Sequence, residues 1–139
     1  MTPPSSKEIA QAVRWLGEAE EELAVAVHVF TADDLPDRVA CFHAHLAAEK
    51  ALKSLQIRRG ILVRKVHNLR EIVQELPEGD RQLFDPEDLD LLNPWTIGGR
   101  YPADLEEVDG EVTRSIVAAV DRVLSAVREA SGNSELTKD

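Results

Sequence analysis

The sequence predicts an all-α protein, an antiparallel up-and-down bundle of four to five helices. Apolar residues recur at spacings of three, four and seven along most of the chain, and no segment alternates apolar and polar residues over a strand's length. A chain of 139 residues can bury a core without disulfides or metals. We therefore expect a single helical domain over residues 1–130 and a disordered tail over residues 131–139.

The first helix is predicted to begin after Ser5 and to end near Phe30. Ser5 and Glu8 have the spacing of a capping box, in which each side chain satisfies the other residue's backbone N–H. After a short turn, Pro36 suits the first position of the second helix, because its missing N–H would have no partner there. We expect Gly60 to end that helix. The apolar stripe predicted for the first helix is Ile9, Val13, Leu16, Leu23, Val27 and Phe30.

Shorter helices are predicted in the second half of the chain. Asn68 and Glu71 repeat the capping pattern for a third helix, which the Pro77–Gly79 stretch should close. Asp85 and the proline after it should start a fourth helix, and residues 97–102 suit an irregular connection. The apolar stripe of the last helix is Val112, Ile116, Val120, Val123 and Val127.

Basic residues are concentrated in one segment of an acidic chain. The net charge is -10, yet residues 50–70 contain seven Lys or Arg and no Asp or Glu. Such a segment suits either phosphate groups or the acidic surface of a protein, whereas the acidity of the whole chain disfavours general binding to DNA. His67 either helps to start the third helix or contacts a ligand. The residues predicted to bind nucleotide or phosphate are Lys53, Arg58, Arg59, Arg64, Lys65 and His67.

The second helix is predicted to have two different sides. One side should face the core and consists mostly of small residues, namely Ala40, Ala44, Ala47, Ala48, Ala51, Leu52 and Leu55. The other is a mixed strip of aromatic and polar residues, namely Arg38, Phe42, His45, Glu49, Lys53 and Gln56. Glu49 and Lys53 stand four residues apart, as in a helical ion pair. The mixed strip is either a solvated face or a surface for a ligand or a second subunit.

Three motifs carry a resemblance to a known family. They are Cys41-Phe42-His43-Ala44-His45 followed by Ala48-Glu49-Lys50-Ala51-Leu52-Lys53, then His67-Asn68-Leu69, and finally Arg100-Tyr101-Pro102. This order resembles HEPN domains. The resemblance implies a helical bundle that often dimerises and is encoded beside or fused to a minimal nucleotidyltransferase, with some members acting as metal-independent ribonucleases. It also implies a dimer or ligand face containing Phe42, His45, Glu49, Arg100 and Tyr101.

The catalytic pair of the ribonuclease members is incomplete in this sequence. The resemblance places its Arg at Arg100 and its His four to six residues later, where residues 105–107 are Leu, Glu and Glu. The tyrosine that other members carry two residues past that His has no counterpart, because the single tyrosine is Tyr101. Arg38 and His43 match the same spacing as a string, but they point about 140° apart on a helix. They are therefore weak catalytic candidates.

We expect neither a metal site nor a cofactor. His43 and His45 project about 200° apart on a helix and cannot chelate one ion. Cys41, the single cysteine, suits a buried position, which together with the absence of a secretory signal or a membrane span favours the cytoplasm.

The sequence thus predicts a nucleotide- or RNA-associated partner of a minimal nucleotidyltransferase in a toxin–antitoxin-like system, acting as a homodimer. Two alternatives remain open. One is a metal-independent endoribonuclease toxin, and the other is a helical interaction module without ligand chemistry.

Overall fold

The computed structural model describes residues 3–96 and 108–136. Within these ranges the regular structure is entirely helical, which confirms the predicted all-α bundle. The helices are α1 (Ser6–Thr31), α2 (Asp37–Arg58), α3 (Leu69–Gln74), α4 (Glu78–Arg81), α5 (Pro86–Leu92) and α6 (Gly110–Leu136), with a 3₁₀ turn at Asn93–Trp95.

The ends of α1 and α2 follow from their capping residues. The Ser5 hydroxyl accepts a hydrogen bond from the Glu8 backbone N–H at 3.1 Å, and the Glu8 carboxylate accepts one from the Ser5 backbone N–H at 3.0 Å. The predicted capping box is therefore confirmed. Pro36 is the N-cap of α2 and lies one position before the predicted one. Gly60 follows the last turn of α2 with φ of 75°, a conformation that glycine adopts without steric penalty.

The long helices α1 and α2 approach each other through small residues. On α1 the fully buried positions are Ala12, Ala19 and Ala26, which stand seven residues apart. They face the alanine-rich side of α2, whose predicted core residues are all fully buried. The predicted α1 stripe needs correction, because Val13 and Val27 are 53% and 42% exposed. Alanine allows the two helix axes to come close, so the buried face centres on the alanines and the valines lie beyond its edge.

Contacts along α6 give the direction of the third long helix. Arg114 near its start lies over the ring of Phe30, at the end of α1, and Arg128 near its end pairs with Glu20. Helices α1 and α6 therefore run antiparallel. The Thr113 hydroxyl donates to Asp37, the first residue of α2, so α6 and α2 begin at the same end of the bundle. The valines and the isoleucine predicted for the core of α6 are buried except Val112.

The short helices carry the chain back along the bundle. Asn68 caps α3 as predicted, since its side chain accepts from the Glu71 N–H. Asp85 caps α5 in the same way. The stretch Pro77–Gly79 does more than close α3, because Pro77 becomes the N-cap of the four-residue α4. The predicted connection at residues 97–102 lies outside the described residues.

The last helix continues past the predicted domain boundary. Helix α6 extends to Leu136, so residues 131–136 of the predicted tail are helical. Ser131, the first residue past the predicted boundary, is buried at 5% exposure.

The single cysteine, Cys41, is fully buried, and this burial raises the pKa of its thiol to about 11. Among the described helices, none has both the length and the apolar character that a bilayer crossing requires.

Candidate functional site

Most of the mixed strip of α2 is buried within the chain. His45 is 1% exposed, Lys53 4% and Gln56 2%, and Glu49 is only slightly more accessible. The loop over residues 61–68 and helix α3 cover them: the Gln56 side chain donates to the Ile72 carbonyl of α3, and His45 reaches the His67 backbone. The sequence predicted either a solvated face or a surface for a ligand or a second subunit. These buried side chains form neither a solvated face nor an open surface for a partner. Arg38 is the one residue of the strip that lies exposed.

A chain of hydrogen bonds links this buried strip to solvent. The Lys53 ammonium donates to Glu49 Oε2 at 3.0 Å, as predicted for this ion pair. The other carboxylate oxygen, Oε1, lies 3.0 Å from His67 Nδ1. Because a carboxylate can only accept, Nδ1 carries the proton and donates it. The side chain of His67 is 57% exposed. The series of hydrogen bonds therefore runs from a buried lysine to an accessible imidazole.

The buried His45 side chain hydrogen-bonds to the backbone of His67. Its Nε2–H donates to the His67 carbonyl at 3.1 Å. Its Nδ1 lies 3.9 Å from Glu49 Oε1, beyond hydrogen-bond distance, and is buried without a partner. Burial lowers the pKa of His45, although the nearby Glu49 charge and the bond to His67 oppose the shift. His45 is therefore a neutral donor at pH 7, and it fixes the main chain from which the His67 ring projects.

The exposed end of the hydrogen-bond chain lies at a cleft of about 340 Å³. Its lining residues are His67, Asn68, Asn93, Pro94 and Thr96. The two asparagines also hold the local backbone, because Asn93 Oδ1 accepts from the Leu69 N–H at 2.8 Å and its amide donates to Asn68 at 3.2 Å. Trp95, the last residue of the 3₁₀ turn, packs edge-on against Phe42 of α2, with ring centroids 5.9 Å apart and planes at 85°. The cleft thus joins the His67 loop to the 3₁₀ turn. We call His45, Glu49, Lys53 and His67, with this cleft, the His67 cluster.

A second cluster has a similar arrangement on another side of α2. His43 Nδ1 lies 2.8 Å from Glu22 Oε1, and Lys50 donates to Glu22 Oε2 at 3.0 Å. Burial disfavours ionised Glu22, but the hydrogen bonds from His43 and Lys50 outweigh it, so the pKa of Glu22 is lowered. We call these three residues the His43 cluster. They hold α1 against α2, and none of them lines the cleft beside His67.

Most cations of the basic segment are paired with acidic residues from other parts of the chain. Arg59 makes two bonds to the Asp80 carboxylate, at 2.6 and 3.0 Å, and reaches the Ala130 carbonyl. Arg64 pairs with Glu75, and Arg70 with Asp90. Arg58 is buried. Lys65 is exposed and has no ion-pair partner within the described ranges.

The other catalytic candidates are not brought together. His43 is turned toward α1 by Glu22, whereas Arg38 is exposed near the start of α2. Arg100, Tyr101 and residues 105–107 lie outside the described residues. In the parts of the chain that are described, no three His, Cys, Asp or Glu side chains are grouped so as to hold a metal ion.

Of the five cleft residues, the sequence predicted only His67 as a site residue, and Asn68 only as the cap of the third helix. Asn93, Pro94 and Thr96 follow α5 and meet His67 only because the chain folds back there. A proline at position 94 indicates a break in a helix, but it does not indicate which loop the break will contact. The one available signal was an asparagine just before a proline at a helix end, which is typical of turns.

The comparisons with known proteins agree with this architecture. A family model described as HEPN domain matches residues 12–130. The chain belongs to the HEPN domain family. The crystal structure of TT1696 from Thermus thermophilus is similar to this HEPN domain, with a TM-score of 0.70 and 26% sequence identity over 86% of this chain and 97% of TT1696. No curated protein matches the sequence.

Proposed function

We propose that this HEPN domain binds a nucleotide or an RNA end in the cleft beside His67, as the helical partner of a minimal nucleotidyltransferase in a toxin–antitoxin-like pair. The observation that carries the proposal is the His67 cluster: an accessible imidazole, fixed by a buried Glu49–Lys53 pair, lies at the wall of a cleft. An ionisable group that is held by buried partners at the wall of a cleft is a candidate for a binding or catalytic site.

The loop that carries His67 also supplies the cations for phosphate. Lys65 is exposed two residues before His67. Arg64 is 57% exposed although it pairs with Glu75, so it can contact a second anion. Lys53, Arg58 and Arg59 are poorer phosphate contacts, because they are buried or held by the chain's own groups. We therefore place the phosphate groups along residues 64–65.

Binding without RNA cleavage is the better-supported form of the proposal. Positions 105–107 contain no histidine, and His43 Nδ1 is engaged by Glu22. A homodimer remains part of the proposal on the strength of the family resemblance, and a cytoplasmic location on the single, buried cysteine. Analytical ultracentrifugation tests the dimer, and a monomer of 15.4 kDa at high concentration would contradict it.

The test is to titrate the protein with ATP, polyadenylate and a short mixed RNA at two salt concentrations. We expect Lys65→Ala to weaken binding of every phosphate-bearing ligand and to flatten the salt dependence on single strands by about 0.7 in log–log slope, the effect of one lost phosphate contact. His67→Ala should also weaken binding, whereas His43→Ala, the matched change in the His43 cluster, should not.

Two results would contradict the proposal. If none of the three ligands binds, the helical interaction module is the better account. If the RNA is shortened in the same samples and His67→Ala abolishes the shortening, the protein is a ribonuclease with a base different from that of the family.

A further inference from the structure

The cleft beside His67 presents a hydrogen-bond acceptor. Because Nδ1 donates its proton to Glu49, the neutral imidazole has its lone pair on Nε2. The lysine on the other carboxylate oxygen balances the Glu49 charge. A carboxylate that fixes an imidazole by its Nδ1–H is the usual way to hold one tautomer in a binding site. A ligand group that matches this lone pair is a hydrogen-bond donor.

Hydrogen-bond donors stand next to this acceptor. The side-chain oxygen of Asn68 accepts from the Glu71 N–H and from Asn93, and that of Asn93 accepts from the Leu69 N–H. Both amide oxygens are thus used inside the chain. Each carboxamide has two N–H groups, and Asn93 uses one of its two on Asn68, so N–H donors remain at the cleft wall.

An acceptor beside donors fits hydroxyl groups better than phosphate. A hydroxyl donates one hydrogen bond and accepts others, whereas a phosphate oxygen at neutral pH only accepts. Among the residues that the structure describes, none of the five that line the cleft is a Lys or Arg, and the exposed Lys65 lies outside the cleft wall. A volume of about 340 Å³ is at the small end of ligand sites and suits a single nucleoside.

We infer that the cleft recognises the vicinal ribose hydroxyls of a nucleotide or of an RNA 3′ end, with His67 Nε2 accepting from one hydroxyl and the Asn68 and Asn93 amides donating to the pair. This inference rests on the proposed function and specifies which end of the ligand enters the cleft. The phosphates then lie outside, toward Lys65. The free nucleotide and the RNA end share this chemistry and differ only in the groups attached at the 5′ side of the ribose.

The test compares ligands on the unaltered protein by calorimetric titration. The probes are ATP, 2′-deoxy-ATP, 3′-deoxy-ATP, inorganic triphosphate, and a short RNA ending in either a 3′-hydroxyl or a 3′-phosphate. We expect either deoxy change to weaken ATP binding about tenfold, the usual effect of a lost hydrogen bond in a built site. His67→Ala should abolish the difference between ATP and the deoxy analogue whose hydroxyl it contacts, and His43→Ala should preserve it.

The probes distinguish a free nucleotide from an RNA end, and they distinguish a failure of this inference from a failure of the proposed function. Binding of ATP that either deoxy change weakens identifies a free nucleotide, and binding of the 3′-hydroxyl RNA but not of the 3′-phosphate RNA identifies an RNA end. Either result supports the inference. Equal affinities for ATP and both deoxy analogues, or triphosphate displacing ATP at equal concentration, would overturn the inference while the proposed function stands. If no ATP and no RNA binds, both fail together.

Discussion

The His67 cluster and the His43 cluster contain the same three residue types in the same hydrogen-bond pattern. In each, a histidine Nδ1 meets one carboxylate oxygen of a glutamate and a lysine meets the other, all within 2.8–3.0 Å. They differ in burial. The lysine side chain is 5% exposed in the His67 cluster and 29% exposed in the His43 cluster. The histidine is the more exposed one in the His67 cluster, 57% against 31%.

This difference separates a structural ion pair from a candidate site. In the His43 cluster the side chains are partly exposed, so water can hydrate either group when its partner is lost. These bonds hold α1 to α2, and breaking them costs little free energy. In the His67 cluster the charges are out of water and depend on one another, while the imidazole at their end faces a cleft. The hydrogen-bond pattern alone therefore does not identify a functional site. The additional feature of the His67 cluster is a buried pair of charges beneath an accessible imidazole.

The largest expected effect comes from replacing Glu49, and the same change at Glu22 is its control. Glu49→Leu leaves Lys53 charged and buried without its partner, so we expect a loss of about 3–5 kcal/mol in the free energy of unfolding. Glu22→Leu leaves His43 and Lys50 partly exposed, and we expect a loss of about 1 kcal/mol or less. Urea unfolding followed by circular dichroism measures both. Equal losses would remove the energetic basis of the comparison.

A double substitution sharpens the same point. In Glu49→Leu with Lys53→Met, both buried charges are replaced by apolar groups, so we expect at least about 2 kcal/mol of the single-variant loss to be recovered. The matching pair, Glu22→Leu with Lys50→Met, should differ from its single variant by about 0.5 kcal/mol or less, as expected for partly exposed ions. A double-mutant cycle with equal coupling in both clusters would contradict this.

The pH dependence of stability should divide between the two clusters. Burial lowers the pKa of His45 in the folded state below its ordinary value of 6.5, so the unfolded chain binds the proton first and stability falls as the pH drops below 6.5. Glu22 also has a lowered pKa, against an ordinary value of 4.5, and its contribution is complete above pH 4.5 and lost as the pH falls through its folded pKa.

Variants assign these two windows. We expect His45→Gln to reduce the fall that begins near pH 6.5, and Glu22→Gln to reduce the fall that begins near pH 4.5. The measurement is the urea midpoint at intervals from pH 8 to pH 3. An unchanged slope between pH 6.5 and 5 in His45→Gln would show that this histidine does not bind its proton more weakly in the folded state.

The fold was largely predictable because its signals are local. Capping at Ser5, Asn68 and Asp85 and the alanine face of α2 follow from residue spacing and side-chain size. The Val13 error shows the limit of periodicity, which scores valine above alanine although a close helix pair buries the smaller residue.

The site was only partly predictable because it depends on tertiary folding. The Glu49–Lys53 pair is four residues apart on one helix and was visible. The contact of His67 with Glu49 spans 18 residues and a loop whose path no spacing encodes. Basic composition suggested phosphate binding along the whole segment, but composition does not reveal that Asp80 and Glu75 already pair with two of its arginines.

The central claim is that the His67 cluster, and not its His43 counterpart, meets the ligand. The most direct measurement is a nuclear magnetic resonance titration of histidine-labelled protein with ATP and, separately, with the short RNA, since the chain has only four histidines to assign. We predict that the His67 ring resonances shift with saturation on adding ligand, while those of His43 stay in place. Saturable shifts at His43 with none at His67 would contradict the claim.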